Sequence, residues 1–178
     1  MTLLQVPVTE ADHIAGNKHA PVTLVEYGDY ECPACGLAFP IVKAIQKHFD
    51  HQLRFVFRHF PLTQVHPHAE SAAETAEFAG THARFWEMHD SLFENQSMLS
   101  LPLYIAFAKE LGLSEDALAD ALERGTFRPK VRSDFMGGLQ SGVNGTPTFF
   151  INGKRLDAPA SDLAAAIEAE LEQAEVAG

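Results

Sequence analysis

The sequence predicts an α/β fold, in which a central mixed sheet is flanked by helices and an inserted helical subdomain separates the sheet-forming segments. Three observations predict it: a strand-helix-strand pattern within residues 22–58, a series of helical patterns across residues 63–124, and a hairpin pattern near the C-terminus. A strand-helix-strand order favours a parallel pair with a crossover helix, whereas a hairpin adds antiparallel strands. The 178 residues are expected to form one domain, with a sheet-bearing core of residues 1–62 and 125–178.

The strand-helix-strand unit is defined by a change in hydrophobic period. Residues 22–27 form an apolar, β-branched run that indicates a buried strand. Apolar residues then recur at helical spacing from Pro33 to about Phe49, and a kink is expected at Pro40 because proline cannot donate to the preceding turn. Residues 53–58 alternate between two faces, which predicts the second strand.

The inserted block is predicted to contain four helices. The first carries an alanine stripe and ends at Gly80, and the second begins near Phe85 with an aromatic face. Pro102 opens the third helix, and Ser114 caps the fourth. The apolar residues of the second helix are interpreted as core, with a substrate groove as the alternative.

The C-terminal part is predicted to return to the sheet after a weaker helix over residues 127–142. Residues 146–152 form a β-rich run, and Asn152-Gly153 is a strong signal for a two-residue hairpin turn. Ser161 or Asp162 is expected to cap a last helix.

Composition and charge exclude several classes of protein. Lys and Arg number 13 and Asp and Glu 24, so the net charge of −11 opposes binding to nucleic acid. No apolar run approaches the roughly 20 residues of a membrane span, so membrane insertion is not expected. The N-terminus lacks a basic segment followed by an apolar stretch, which predicts a cytoplasmic protein, although removal of a signal peptide would leave the same sequence.

The two cysteines, Cys32 and Cys35, point to redox chemistry. Structural zinc usually takes four ligands, and no second cysteine pair is present. The segment His66-Pro67-His68, with His59 nearby, is the best alternative source of ligands, but no acid or cysteine accompanies it at ligand spacing. We therefore expect no metal and no organic cofactor, because a Cys-x-x-Cys pair directly after a strand is typical of redox centres.

The position of the pair at a helix start explains its expected reactivity. If Cys32 is the N-cap, Pro33 takes the first helical position and the N–H groups of Ala34 and Cys35 face the Cys32 sulfur. These donors and the helix dipole lower the pKa of the thiol from about 8.5, so Cys32 is the predicted nucleophile. Cys35, one turn deeper, is expected to stay a thiol until it resolves the mixed disulfide.

Glu26 is the candidate proton acceptor for Cys35. It lies in the apolar strand six residues before Cys32, where an ionised carboxylate is costly unless it is paired or hydrated. The alternative is that Glu26 is a strand residue that faces solvent.

Two segments resemble the signatures of DsbA-like thiol-disulfide oxidoreductases, which have a thioredoxin-like fold. They are residues 27–35 (YGDYECPAC) and residues 145–153 (GTPTFFING), and residues 57–62 (FRHFPL) also resemble the family. The helical block corresponds to the insertion that these proteins carry. The resemblance therefore implies a thiol-disulfide oxidoreductase with a thioredoxin-like fold over nearly the whole chain.

The resemblance also implies the second half of the site. Pro147 would be a cis proline beside Cys32, and Pro33 and Ala34 would also contact the substrate. The backbone of Thr146 would be free to pair with an extended peptide. Glu26 would occupy the family's buried acid position. The alternative for Pro147 is a trans proline that starts a strand.

Two differences from the family's strongest oxidants indicate the direction of disulfide exchange. Those proteins have histidine at the position of Ala34 and valine at that of Thr146. Together with the N-terminus, these differences favour a cytoplasmic reductase or isomerase-like exchanger that acts on protein or peptide thiols and disulfides, with glutathione or a redox protein as partner. The alternatives are a peptide-binding or chaperone-like module that uses its cysteines little, and a metal-binding protein.

Further side chains are predicted to contribute to the surface around Cys32. Tyr27, Tyr30 and Phe149 flank the two motifs and are expected to form an apolar surface for a peptide partner. His59 is expected at the rim of the site as a hydrogen-bond donor.

Overall fold

A computed structural model describes residues 1–178 and confirms the mixed α/β architecture. The five-stranded sheet has the order β1-β3-β2-β4-β5. β2 and β3 are parallel, and the other neighbouring pairs are antiparallel. The strands are β1 (His13–Gly16), β2 (Val22–Gly28), β3 (Leu53–His59), β4 (Thr148–Ile151) and β5 (Lys154–Arg155).

Both faces of the central strand β2 are buried. Leu24 belongs to the larger apolar core, whereas Val25 and Tyr27 belong to a smaller cluster on the other face. Alternation along a strand sends successive side chains to opposite faces, so Glu26 lies on the same face as Leu24. Burial of both faces explains why β2 is a nearly continuous apolar run.

Helix α1 (Pro33–Phe49) connects β2 to β3 and covers the larger core. Its buried side chains, which include Cys35, Val42 and Ile45, recur at helical spacing. Proline at the first helical position begins the helix without loss of a hydrogen bond. The helix continues through Pro40.

Six further helices agree with the predicted series. Ser114 accepts a hydrogen bond from the N–H of Ala117 at 3.2 Å, which confirms it as an N-cap. The predicted third helix starts one residue before Pro102, because Ser100 caps it through the N–H of Leu103. The helices are α2 (Ala69–Gly80), α3 (Phe85–Glu94), α4 (Leu101–Glu110), α5 (Glu115–Arg124), α6 (Arg128–Gln140) and α7 (Leu163–Ala177).

The hairpin between β4 and β5 turns at the predicted dipeptide. Asn152 and Gly153 have φ angles of 47° and 80°, the left-handed region that both central residues of a type I′ turn require. Asp162, and not Ser161, occupies the N-cap position of α7, although its side chain makes no capping hydrogen bond.

Strand β1 was not predicted. It is a four-residue edge strand that pairs with β3, and its sequence His-Ile-Ala-Gly has no distinctive periodicity. Pairing with β3 therefore decides its conformation. None of the helices combines the length and the apolar character needed to cross a membrane.

Candidate active site

Cys32 lies at the N-cap of α1 and Cys35 lies in its first turn. The backbone of Cys32 is extended (φ −70°, ψ 121°), and its carbonyl accepts a hydrogen bond from the N–H of Gly36 at 3.1 Å. Cys32 retains 6% of its surface accessible, whereas Cys35 is fully buried. Both cysteines are thus buried, and the small surface that remains open to a substrate belongs to Cys32.

The two thiols have opposite pKa shifts. A hydrogen bond from the Cys35 thiol is the main reason that the pKa of Cys32 falls to about 5, against the opposing effect of burial. Thr146 and the N–H groups of Cys35 and Ala34 contribute further. The N–H groups at the helix start, which the sequence predicted to lower this pKa, therefore act together with the Cys35 thiol in the same first turn.

Burial raises the pKa of Cys35 well above its usual range, and its hydrogen bond to Cys32 and the charge of Glu26 add to the shift. At neutral pH the pair therefore consists of an accessible Cys32 thiolate and a buried Cys35 thiol. This asymmetry is the one that stepwise disulfide exchange requires.

Glu26 is buried behind the cysteine pair, so the alternative of a solvent-facing strand residue is wrong. Only 3% of its surface is accessible, and Oε1 has no hydrogen-bond partner in the protein. Burial, followed by the negative charge of Cys32, raises the pKa of Glu26 to about 8. A carboxyl group with this pKa can take up and release a proton near neutral pH.

Gly28 permits the close packing beside Glu26. A Cβ atom at this position would lie 2.5 Å from Cε2 of Phe57 and 3.2 Å from Oε1 of Glu26. Any larger residue at position 28 would therefore displace the ring or the carboxyl group.

The four residues predicted to contact substrate surround Cys32. Pro33 and Ala34 are exposed, and Thr146 and Pro147 are half-buried. When it is protonated, the Cys32 thiol donates to the carbonyl oxygen of Thr146 at 3.5 Å, across 114 positions of sequence. The Thr146-Pro147 peptide bond is cis. The fold thus brings the two sequence motifs together at one end of α1.

Two expectations about the rim of the site are wrong. Tyr27, Tyr30 and Phe149 are all buried and so do not form an apolar surface around Cys32. His59 is also buried, and its Nε2 bonds Oε2 of Glu77 at 2.9 Å. Both expectations failed because these residues lie on strands or loops that are covered on both sides.

A group of three side chains that could hold a metal ion includes His59 of the candidate histidines but neither His66 nor His68. His13, on the unpredicted strand β1, and His59 share one carboxylate oxygen of Glu77. Both imidazoles therefore bond the carboxylate oxygen that a metal ion would need. His66 and His68 instead bond Asp29 and Glu31, at 2.7 Å and 3.0 Å.

Sequence reasoning missed Asp29 and Gln96, which both contact the backbone before α1. The Asp29 carboxylate accepts hydrogen bonds from the N–H groups of Glu31 (2.8 Å) and Leu62 (2.9 Å). An aspartate in the turn before a helix is a recognisable signal for such bonds. Gln96 gives no comparable signal, because it reaches this turn from the segment after α3.

Comparison with known proteins places this arrangement in a family. A family model described as thioredoxin matches residues 8–169. The Na⁺/H⁺ antiporter NhaA 1 of Salinispora arenicola is 46% identical over 153 residues, which are 85% of this chain and 23% of that protein. The chain thus spans about a quarter of the length of the curated relatives that it matches.

Solved structures match almost the whole chain. BdbD from Bacillus subtilis superposes with a TM-score of 0.86 at 27% identity, over 96% of this chain and 98% of that one. Wolbachia pipientis α-DsbA1 superposes with a TM-score of 0.83 at 19% identity, over 97% and 96% of the two chains, which is a likeness of fold. The chain belongs to the thioredoxin family, and its fold is that of the DsbA-like proteins.

Proposed function

We propose that the protein is a thiol-disulfide oxidoreductase in which Cys32 attacks substrate disulfides, Cys35 resolves the mixed disulfide and Glu26 accepts the proton of Cys35. The observation that carries the proposal is the accessible, low-pKa thiol of Cys32 directly beside the buried thiol of Cys35. Pro33, Ala34, Thr146 and Pro147 would contact the substrate around it.

The reaction consists of two thiol-disulfide exchange steps. The Cys32 thiolate attacks one sulfur of the substrate disulfide, the S–S bond breaks, and the other substrate sulfur leaves as a thiolate that takes a proton from water. Cys35 then transfers its proton to Glu26 and attacks the Cys32 sulfur, which releases the second substrate thiolate. The substrate gains two electrons, and the cysteine pair becomes a disulfide that external thiols such as glutathione reduce again.

The pKa of Cys32 favours an intermediate redox strength. Its value of about 5 lies between those of thioredoxin, about 7, and DsbA, about 3.5, so the reduction potential is expected between about −270 and −120 mV. Protein disulfide isomerase, at about −180 mV, lies within this range. In isomerisation the released substrate thiolate attacks again before Cys35 does. A compartment that keeps thiols reduced, such as the cytoplasm, would keep Cys32 available for this reaction.

Turnover of protein disulfides tests the proposal. The wild-type protein should accelerate both the reduction of insulin by a small thiol and the refolding of a protein with scrambled disulfides. Acceleration of insulin reduction alone would support a reductase and contradict the isomerase direction. Failure in both assays would contradict the proposal and favour a peptide-binding module with little redox activity.

The curated relatives suggest one candidate for a protein substrate. Because a region similar to this chain forms part of Na⁺/H⁺ antiporters, we propose cysteines of such an antiporter among the disulfides that Cys32 attacks. An antiporter captured by the trapping variant described in the Discussion would support this assignment, and its absence among the adducts from membranes that contain it would contradict the assignment.

A further inference from the structure

Gln96 connects the inserted helices to the redox centre. It begins a short 3₁₀ turn (Gln96–Met98) between α3 and α4. Its Nε2 atom donates hydrogen bonds to the carbonyl oxygens of Cys32 (2.7 Å) and Tyr30 (3.0 Å). Both amide hydrogens of this side chain are therefore bound to the backbone that leads into α1.

These two carbonyl groups belong to peptide units that control the direction of the Cys32 side chain. The peptide between Cys32 and Pro33 has no N–H group, so the carbonyl of Cys32 is the only polar atom by which that unit can be fixed. It accepts from Gln96 and from the N–H of Gly36. The peptide between Tyr30 and Glu31 is fixed from both sides, by Gln96 at the carbonyl and by Asp29 at the N–H group.

Gly36 makes the space that Gln96 occupies. A Cβ atom at position 36 would overlap Oε1 of Gln96 and lie 3.0 Å from its Cδ. Gly36 directly follows the Cys-x-x-Cys pair, and its lack of a side chain leaves room for the amide of Gln96. This second observation links the contact to the first turn of α1, where the pKa of Cys32 is determined.

We propose that Gln96 is a positioning residue of the redox centre: it holds the peptide units around Cys32 so that the sulfur faces its hydrogen-bond donors. Gln96 bonds only backbone carbonyl groups and does not touch the reacting sulfur atoms, so it is not a catalytic residue. The inference rests on the proposed function, because it assigns a role within the same site. It also means that the insertion helps to determine the reactivity of Cys32.

The test replaces Gln96 by Met, which keeps the length of the side chain and removes both donors. In Gln96→Met we expect a loosened Cys32 backbone to raise the pKa of Cys32 by about one unit, measured from the pH dependence of alkylation. The same change should shift the equilibrium with glutathione about tenfold toward the disulfide, which corresponds to a potential about 30 mV more negative.

Two further variants separate this role from a structural one. Asn95→Ala removes the neighbouring amide, which bonds the carbonyl of Ser91 in α3, and should leave both quantities unchanged. Gly36→Ala should reproduce the shifts of Gln96→Met, because the added methyl group displaces the amide. If circular dichroism shows that Gln96→Met does not fold, the pKa and potential of Gly36→Ala test the inference instead.

The outcomes distinguish this inference from the proposed function. Both measurements use the cysteine pair alone, so they are informative whether or not the protein turns over a protein substrate. Unchanged pKa and potential in Gln96→Met and Gly36→Ala would overturn the inference while leaving the proposed function intact. Equal shifts of the pKa and the potential in Asn95→Ala would also overturn the inference, because a general loss of stability in the α3–α4 connection would then explain both changes.

Discussion

Cys35→Ser is expected to accumulate mixed disulfides between Cys32 and its substrates, whereas Cys32→Ser is expected to lose catalysed exchange. In the first variant the accessible thiolate still attacks, but the buried thiol that would resolve the adduct is absent. In the second variant, the buried thiol has a pKa well above its usual range and cannot replace the missing nucleophile. Non-reducing gels and mass spectrometry of the adducts, together with the rate of insulin reduction, measure both effects.

The double variant Cys32→Ser/Cys35→Ser is the matched control, because serine is close in size to cysteine and neither thiol remains. We expect the rate of insulin reduction by Cys32→Ser to be more than about a hundredfold below that of the wild type and equal to that of the double variant. The reason is that the attacking thiolate supplies most of the acceleration. Adducts on Cys35, or single variants with wild-type turnover, would contradict the assigned order of attack.

Glu26→Gln is expected to stabilise the protein while slowing exchange. The pKa of Glu26 rises to about 8 in the folded protein, compared with about 4.3 in an unfolded chain. Between these two pKa values the folded state binds more protons than the unfolded state, so the free energy of unfolding decreases as the pH rises through this window. Glutamine does not ionise and escapes this loss, so the gain should reach about 4 to 5 kcal/mol at pH 8 and vanish below about pH 4.

The expected loss of exchange follows from the same carboxyl group. The negative charge of Cys32 contributes to the raised pKa of Glu26. Formation of the mixed disulfide removes that charge, which lowers the pKa of Glu26 and leaves more carboxylate to accept the proton of Cys35. Loss of this acceptor should slow the resolving step about a hundredfold at pH 7, in the usual range for general base catalysis.

Urea unfolding of the reduced proteins at pH 4 and pH 8 measures the gain in stability, and rapid mixing with a disulfide peptide measures the resolving step. Glu172→Gln, an exposed change on α7, is the control for loss of one negative charge. A gain in stability that does not depend on pH would contradict the assigned pKa. An unchanged rate of resolution would remove Glu26 from the mechanism.

The sequence predicted those features of the fold that are decided locally. Pro33 at a helix start, Ser114 at an N-cap and Asn152-Gly153 in a turn act through their own backbone preferences, and each lies where it was expected. Strand β1 and the contact of Gln96 were missed because long-range pairing decides both. A short edge strand has little intrinsic preference, and a glutamine gives no indication of a partner 64 positions away.

Burial was the other source of error at the site. Period-two alternation identifies the two faces of a strand but does not say whether the second face is covered. Tyr27 was expected in an apolar surface because it flanks the Cys-x-x-Cys motif, but the Phe60 and Phe150 rings pack against it. For Glu26 the same ambiguity left two alternatives, and the observed packing of β2 under α1 selects the buried one.

Titration of the reduced protein tests whether Cys32 is a thiolate at neutral pH, on which the proposed exchange reaction depends. The absorbance of thiolate near 240 nm should show one inflection near pH 5, and this inflection should be absent from Cys32→Ser. A wild-type protein whose first thiolate appears only near pH 8.5, the usual pKa of cysteine, would contradict the role of Cys32 as an activated nucleophile.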